Sequence, residues 1–213
     1  MPLLFCDLDN TLIDRAAAYR AWAEDYAARM GRDSPEVEWL VSIDHDGMRA
    51  REPLFEEVRS RWGIADPVSD LVDRYRREYP AFLRPVDSAV VRRLGRLRRS
   101  GWTVAIVTNG PPSQRTKVER CGLLPVVDVV VVSEELGVSK PDRRIFEAAA
   151  RLAGCEIEEG WLIGDQAEAD IAAAVEMRIP GIWLRRGRTR TETRWRPFAT
   201  AENLPEALSL VPG

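Results

Sequence analysis

The stretch LLFCDLDNTLID, residues 3–14, decides how this 213-residue chain is interpreted. Its four apolar residues, Leu3–Cys6, predict a buried strand, and two carboxylates, Asp7 and Asp9, follow at once. Side chains at positions i and i+2 of a strand point to the same side. Two like charges held this close repel, and burying either one is costly unless something compensates it. Either one aspartate caps a turn while the other faces water, or a cation lies between them.

The composition of the chain is typical of a globular protein and argues against several other classes of protein. The chain is 45% hydrophobic and 31% charged, as globular proteins are, and its formal net charge of -3 argues against nucleic-acid and membrane-surface partners. No apolar run approaches the ~20 residues needed to span a bilayer. The sequence begins directly with the strand that carries the aspartates, so we expect a cytoplasmic protein. The three cysteines form no metal-like pair and are expected to be reduced.

Short apolar runs rich in β-branched residues alternate with helical patterns along most of the chain. They show little polar alternation, as is typical of parallel strands buried on both faces. The predicted strands are Leu3–Cys6, Thr103–Val107, Val129–Val132, Trp161–Ile163 and Ile182–Leu184. This order of strands and helices predicts an α/β fold with a Rossmann-like, doubly wound parallel sheet.

Residues 15–85 break the alternation, because they carry four helical stripes of apolar and aromatic residues and no predicted strand. The predicted domains are therefore an α/β core, residues 1–14 and 86–213, and an inserted α-helical cap, residues 15–85. Because the insertion starts directly after the first strand, at the carboxyl end of the sheet, it is expected to act as a lid.

Polar and charged side chains follow four of the predicted strands, at the edge of the sheet where open α/β folds bind ligands. They are Asp7 and Asp9; Thr108, Asn109 and Gly110; Ser133, Glu134 and Glu135, with Lys140 beyond; and Asp165 and Asp170. Any one of them could be a cap or a turn. Clustered aspartates would destabilise the edge unless a cation were bound, so the whole set favours a functional site.

The residue types at this edge indicate phosphoryl transfer. Clustered carboxylates suit the hard cation Mg²⁺, which also holds a substrate phosphate. A hydroxyl, the N–H groups of a turn and an ammonium suit a phosphate dianion. Since the sequence offers no Ser/His pair, catalytic cysteine motif or glycine-rich phosphate loop, the nucleophile available is a carboxylate. The expected partner is a small-molecule phosphate ester.

The segments DLDNTL, TNG, KP and GDQAEAD, in this order, resemble the four motifs of the haloacid dehalogenase (HAD) superfamily. The resemblance covers residues 1–13 and about 86–212, and residues 15–85 resemble the superfamily's helical cap inserted between the first two motifs. The spacing in TNGPPSQRTKVERCGL is similar to that of the nucleotidase and small-metabolite phosphatase branch. The resemblance implies a Mg²⁺-dependent phosphatase that hydrolyses a small phosphorylated metabolite through an aspartyl-phosphate.

The resemblance also implies catalytic roles for particular residues. Asp7 would be the nucleophile, and Asp9 would protonate the leaving oxygen and then activate the hydrolytic water. Thr108 would hold a phosphoryl oxygen together with the turn N–H groups at Asn109 and Gly110. The two aspartates of the opening stretch would then lie together because a two-step reaction needs both.

The remaining implied roles concern charge. Lys140 would neutralise the nucleophile and the phosphoryl group. Asp165 would bind Mg²⁺ together with Asp7 and the backbone carbonyl of Asp9. Asp170 would order Lys140 or a water near the metal.

Three other functions stay open. A 2-haloacid dehalogenase is disfavoured by Asp9, because that reaction needs neither the second acid nor a metal. A phosphotransferase of the sugar phosphomutase kind differs only in its acceptor, a sugar hydroxyl instead of water. A non-catalytic binding module would have no need for the complete set of motifs.

The sequence does not identify the substrate or the oligomeric state. His45, the only histidine, lies in an acidic turn of the predicted cap, and a solvated position is the simpler interpretation. The arginine-rich segment 185–196 is interpreted as a solvated loop, with an additional anion site as the alternative. Lys117 and Lys140 are the only lysines among 31 basic residues. For Lys117, chance and function are weighed equally.

Overall fold

A computed structural model describes residues 1–188 and 194–212 of the chain. It divides into two compact units. One comprises Met1–Ile13 and Pro85–Gly213, and the other is the intervening segment Asp14–Arg84.

Among its described residues, the first unit contains a parallel sheet of six strands in the order β3-β2-β1-β4-β5-β6. The strands are β1 (Leu3–Cys6), β2 (Thr103–Thr108), β3 (Val129–Val132), β4 (Gly160–Gly164), β5 (Gly181–Leu184) and β6 (Ala199–Ala201). The α/β fold class and the five predicted strands are confirmed. The sequence prediction missed β6, because three residues of alanine and threonine give no hydrophobic signal.

The helices of the described residues fall into both units. They are α1 (Arg15–Arg29), α2 (Ser34–Ile43), α3 (Arg51–Trp62), α4 (Val68–Glu78), α5 (Ser88–Arg99), α6 (Gln114–Arg120), α7 (Ser133–Leu136), α8 (Arg143–Ala153), α9 (Ala172–Met177) and α10 (Leu204–Leu210). Within the ranges that the structure describes, no helix has the length and apolar character needed to cross a membrane.

Sequence signals at the helix ends explain where several helices begin and stop. The Asp87 carboxylate accepts a hydrogen bond from the Ala89 N–H at the start of α5, and Asp142 does the same for Arg144 at α8. Gly154 ends α8 in the left-handed conformation, with φ of 64°. These caps fix where the chain re-enters the sheet.

The central strand of the sheet is buried on both faces, which accounts for its unbroken apolar sequence. Leu3, Leu4 and Phe5 are fully buried, and the Phe5 ring meets Phe146 of α8 edge-on with centroids 5.4 Å apart. From β1 the chain order runs outward in both directions, so the sheet reverses its order between β1 and β4. Ligands of open α/β sheets bind at the carboxyl ends of the strands beside such a point.

The second unit, Asp14–Arg84, is a helical body with an aromatic core. Trp22 stacks on Tyr26 with centroids 5.1 Å apart, and Tyr75 meets Trp22 edge-on at 4.8 Å. These rings belong to the helical stripes that the sequence predicted, and they are buried. The aromatic stripes therefore form a hydrophobic core of this unit.

A buried ionic group lies inside this helical unit. Asp44, only 2% exposed, accepts a bidentate pair of hydrogen bonds from Arg15 and a further one from Arg51 at 2.7 Å. The Arg15 guanidinium also lies 4.7 Å from the centre of the Tyr19 ring. Burial alone would raise the Asp44 pKa, but the two arginines outweigh it and hold that pKa below its usual value.

We expect Asp44→Asn to destabilise the protein by about 3–5 kcal/mol, because it leaves buried arginine charge uncompensated. A depressed folded-state pKa stabilises the protein at higher pH, so the difference from wild type should shrink as pH falls below about 4. Urea unfolding followed by circular dichroism at several pH values measures the difference in the free energy of unfolding between the two proteins. Glu38→Gln is the matched control, because it makes the same change in the exposed Arg20–Glu38 pair. Equal stability of the Asp44→Asn protein and the control at neutral pH would contradict the prediction.

Candidate active site

Asp7 stands at the carboxyl end of β1, beside the end of β4. Its backbone N–H donates to the Ile163 carbonyl at 2.9 Å, which extends the pairing of the two strands by one residue. Asp165 follows directly after β4 and is 1% exposed. The two carboxylates thus come from neighbouring strands on either side of the point where the sheet reverses its order.

Three buried carboxylates form a compact group at this edge. Asp7, Asp165 and Asp170 each offer an oxygen, and these oxygens all lie within 4.8 Å of one another. Lys140 Nζ donates to Asp7 Oδ1 at 2.6 Å and to Asp170 Oδ1 at 2.7 Å, and its side chain is 3% exposed. The structure therefore brings four of the predicted site residues into one buried cluster.

The charges of this cluster shift the proton affinities of its members. Burial raises the pKa of Asp7 to about 6; Lys140 opposes this rise, and the negative charge of Asp170 adds to it. For Lys140, burial would lower the pKa, but Asp170 and Asp7 outweigh it and the pKa is raised. Lys140 therefore stays an ammonium at neutral pH.

Lys140 is tied to the segment that follows β2. Its backbone N–H donates to Asn109 Oδ1 at 2.8 Å, and Asn109 Nδ2 donates back to the Lys140 carbonyl at 3.1 Å. This reciprocal pair fixes the backbone of Lys140 relative to the end of β2. The amide of Asn109 thus holds the backbone from which the ammonium reaches the carboxylates.

The residues at the end of β2 and just beyond it form different hydrogen bonds within the protein. Thr108 is buried, and its Oγ1 accepts a hydrogen bond from Gln114 Nε2 at 2.7 Å. The Gly110 N–H donates to Ser133 Oγ at 3.0 Å, so in this structure it is engaged within the protein. With φ of 144°, and with Gln114 3.1 Å from the place of a β-carbon, position 110 suits glycine alone.

The Asp9 carboxylate lies outside the group of three carboxylates and has other partners. Lys117 Nζ lies 2.8 and 2.6 Å from its two oxygens, and Gln114 Nε2 donates to Oδ2 at 3.0 Å. Gln114 is not among the site residues predicted from the sequence, and for Lys117 the sequence weighs chance and function equally. The two residues are three positions apart on α6 and therefore lie on one face of that helix. This spacing is the feature of the sequence that could have suggested a shared partner.

An arginine of the segment after β5 contacts Asp165. Arg188 Nη2 donates to Asp165 Oδ2 at 3.0 Å and to the Asp165 carbonyl at 2.7 Å, and Trp183 Nε1 donates to the same carbonyl at 3.0 Å. Residues 189–193 of the arginine-rich segment 185–196 lie outside the described residues. The part that is described supplies positive charge to the acidic cluster.

Other polar residues singled out in the sequence do not join this cluster. Glu134 and Glu135 are exposed, and Glu135 pairs with Arg115 on the protein surface at 2.7 Å. Both lie in the short helix α7 and face solvent. His45 is exposed in the helical unit, where its backbone has φ of 50°.

Gly164 makes room for Asp170. A β-carbon at position 164 would lie 2.2 Å from both Cγ and Oδ2 of Asp170, far inside van der Waals contact. Asp170 Oδ2 also accepts the N–H of Gln166 at 3.0 Å, in the irregular turn after β4. The glycine at the end of β4 therefore sets the position of the carboxylate that holds Lys140.

We expect Gly164→Ala to lower kcat/KM for a phosphate ester by about 10²-fold, because displacing Asp170 misplaces Lys140. Steady-state kinetics measure kcat/KM, and a thermal melt of the same protein measures its stability. Gly95→Ala is the matched control: position 95 lies within α5, and a β-carbon there would meet nothing closer than 3.5 Å. The control should keep its activity and gain about 0.4–1 kcal/mol of stability. An unchanged kcat/KM in Gly164→Ala would show that activity does not depend on the position of the Asp170 carboxylate.

The carboxylate cluster fits a hard divalent cation. Its donors are oxygens only, and the three carboxylates lie close together and buried. Lys140 and Arg188 contact them, and Arg186 Nη1 lies 4.0 Å from Asp165 Oδ2. Mg²⁺ prefers oxygen ligands of this kind and binds through one or two carboxylates together with water and phosphate. The residues present are therefore compatible with the expected Mg²⁺.

The sequence model of haloacid dehalogenase-like hydrolases matches residues 1–178 of the chain. The chain belongs to this family. The match includes β1 with Asp7 and β4 with Asp165, so the hydrolase contains both sides of the carboxylate cluster within the matched region. The expected family, the α/β core and the hydrolase class are confirmed.

Relatives of this haloacid dehalogenase-like hydrolase include proteins named as phosphatases. It is 29% identical to the phosphoserine phosphatase of Thermus thermophilus, over 88% of this chain and 90% of that one. It is 31% identical to the glyceraldehyde 3-phosphate phosphatase of Pyrococcus abyssi, over 88% and 83%. Among solved structures, a HAD phosphatase from Thermococcus onnurineus has a TM-score of 0.68 at 23% identity, covering 100% of this chain and 99% of that one.

Proposed function

We propose that this hydrolase is a Mg²⁺-dependent phosphatase that releases phosphate from a small phosphorylated metabolite. The observation that carries the proposal is the buried Asp7 carboxylate, held 2.6 Å from Lys140 inside the acidic cluster at the end of β1. Relatives named as phosphatases that align over most of the chain support the same reaction class.

The proposed reaction has two steps. An Asp7 oxygen attacks phosphorus, the bond from phosphorus to the leaving oxygen breaks, and Asp9 gives that oxygen a proton. In the second step Asp9 takes a proton from water, the water oxygen attacks the aspartyl-phosphate, and inorganic phosphate leaves with Asp7 restored. Lys140 and Thr108 hold the phosphoryl oxygens, whose negative charge needs positive partners throughout.

Mg²⁺ would be held by Asp7, Asp165 and the backbone carbonyl of Asp9, with Asp170 as a further buried carboxylate nearby. When bound, it would neutralise the charge of the carboxylates and of the phosphate. Of the chain's own residues, Lys140 contacts Asp7 and Asp170, and Arg188 contacts Asp165. Together with these cationic side chains, Mg²⁺ would offset the repulsion among the three buried carboxylates.

A panel of phosphorylated metabolites, assayed for released phosphate with and without Mg²⁺, tests the proposal. Asp7→Asn protein purified in parallel controls for contaminating phosphatases. We expect Mg²⁺-dependent release from small esters. Transfer to an added sugar phosphate without free phosphate would indicate a phosphotransferase, and halide release from a 2-haloacid would indicate a dehalogenase. Either result without phosphate release would overturn the proposal.

The helical unit is proposed to select the substrate and to act as a lid. Its insertion between β1 and β2, directly after the proposed nucleophile, is the basis for this role. Closing a lid excludes water and strengthens charge interactions in a site. Crystal structures with and without a phosphate mimic test it. The lid would be rejected if the helical unit had the same position in both crystal structures and no residue of 15–85 lay near the bound anion.

A further inference from the structure

Lys117 contacts Asp9 but has no role in the two-step reaction proposed above. Its ammonium lies within hydrogen-bond distance of both oxygens of Asp9, and its side chain is 13% exposed. Lys117 and Asp9 are far apart in sequence, so the contact depends on how α6 packs against the sheet. A mostly buried pair with both oxygens engaged is restrained far more than a surface ion pair.

Gln114 reinforces this contact from the preceding turn of α6. The side chain of Gln114 is buried, and its Nε2 donates to Asp9 Oδ2 at 3.0 Å and to Thr108 Oγ1 at 2.7 Å. It therefore connects Asp9, in the segment that follows β1, with Thr108 at the end of β2. Nearby, burial and the charge of Asp9 raise the pKa of the Cys121 thiol to about 11, so this neighbour stays neutral.

We infer that Lys117 is a positioning residue that acts through Asp9, with Gln114 as its support. This inference rests on the proposed phosphatase reaction. Lys117 holds the Asp9 carboxyl group in the orientation from which its proton reaches the leaving oxygen. The proton moves from Asp9 to the leaving oxygen as the bond to phosphorus breaks. The ammonium keeps its own protons and stabilises the carboxylate that remains.

Such a role predicts a dependence on the leaving group. An ester whose leaving oxygen is a poor leaving group needs the proton from Asp9, whereas an activated aryl ester needs it much less. Phenyl phosphate and p-nitrophenyl phosphate are suitable probes, because they have similar shapes and differ in leaving-group quality. kcat/KM is the appropriate quantity, since it reports steps up to the release of the phenol.

We expect Lys117→Met to lower kcat/KM for phenyl phosphate by about 10- to 100-fold, part of what a general acid contributes, and for p-nitrophenyl phosphate by no more than about 3-fold. Lys117→Arg should restore most of the loss, because it returns a cation to the same place. Arg115→Met is the matched control, an exposed cation on the same helix that pairs with Glu135. Its ratio of the two rates should equal that of wild type.

A double-mutant cycle tests whether Lys117 acts through Asp9. In an Asp9→Asn background, Lys117→Met should cause no further change in the ratio of the two rates. Circular dichroism and thermal melts check folding, and Lys117→Gln replaces the Met variant, with the same expectations, if that one does not fold. Equal losses for both esters, no loss for either, or additive effects in the cycle would overturn the inference while phosphatase activity stands. Absence of phosphate release from wild type with Mg²⁺ would overturn the proposed function and this inference with it.

Discussion

We expect Asp7→Asn to abolish phosphate release, lowering kcat/KM by on the order of 10⁴-fold or more, while the protein remains folded. An amide cannot displace the leaving group and form the acyl phosphate on which the proposed reaction depends. Asn and Asp have nearly the same volume, and the amide oxygen still accepts a hydrogen bond from Lys140, so packing is kept. Phosphate release with Mg²⁺ and a thermal melt of the same sample measure both parts of this expectation.

The pKa of Asp7 predicts how the stability of Asp7→Asn compares with that of wild type. Its folded-state pKa is raised to about 6, from an unfolded value near 4, so its contribution to stability is greatest at low pH and is lost as pH rises through that range. Metal-free Asp7→Asn should therefore be at least as stable as metal-free wild type at pH 8. Asp73→Asn, the same change at an exposed position of α4, is the matched control. Wild-type turnover by folded Asp7→Asn protein would remove Asp7 as nucleophile.

Removal of divalent cations has the second largest expected effect. EDTA treatment followed by buffer exchange should lower activity by at least about 10²-fold, since a bound cation supplies several kcal/mol of charge stabilisation. Mg²⁺ should restore activity and Ca²⁺ should restore little, because Ca²⁺ relaxes the near-octahedral geometry that Mg²⁺ demands. The measurement is a titration of activity with each cation.

A binding measurement separates the metal site from activity. Asp165→Asn should weaken Mg²⁺ binding measured by calorimetry, because it removes one of the three clustered carboxylates. Asp73→Asn again serves as the control and should bind Mg²⁺ as wild type does. Full activity after exhaustive EDTA treatment, or equal Mg²⁺ affinity in both variants, would contradict the proposed site.

Much of this architecture could be predicted from the sequence, because buried parallel strands leave a strong local signal. Runs such as Val129–Val132 are apolar throughout, and the carboxyl end of each strand can be located to within a residue. Since those ends share one edge of the sheet, residues such as Asp7, Lys140 and Asp165 were expected to lie close together. The edge strand β6 lacks such a signal because it is short and has small residues.

The contacts between side chains of distant segments were not predictable. Lys117 reaches Asp9 because of how α6 packs against the sheet. The three-residue spacing of Gln114 and Lys117 puts both on one face of α6 but does not indicate that this face meets Asp9. Gly164 could be recognised as special only once Asp170 was seen against its α-carbon. A position shortly after a strand does not by itself identify a site residue, since Glu134 and Glu135 follow β3 but lie in α7 and face solvent.

Chemical trapping of the aspartyl-phosphate tests the central claim most directly. Borohydride reduces an acyl phosphate to an alcohol, so an intermediate on Asp7 would leave homoserine at that position, with phosphate released. Quenching wild type during turnover of p-nitrophenyl phosphate with Mg²⁺, followed by tryptic digestion and fragmentation mass spectrometry, examines residues 1–15 as one peptide. We expect homoserine at position 7 in the presence of substrate and none without it. Homoserine at position 9 instead, or none anywhere during active turnover, would contradict Asp7 as the nucleophile of this enzyme.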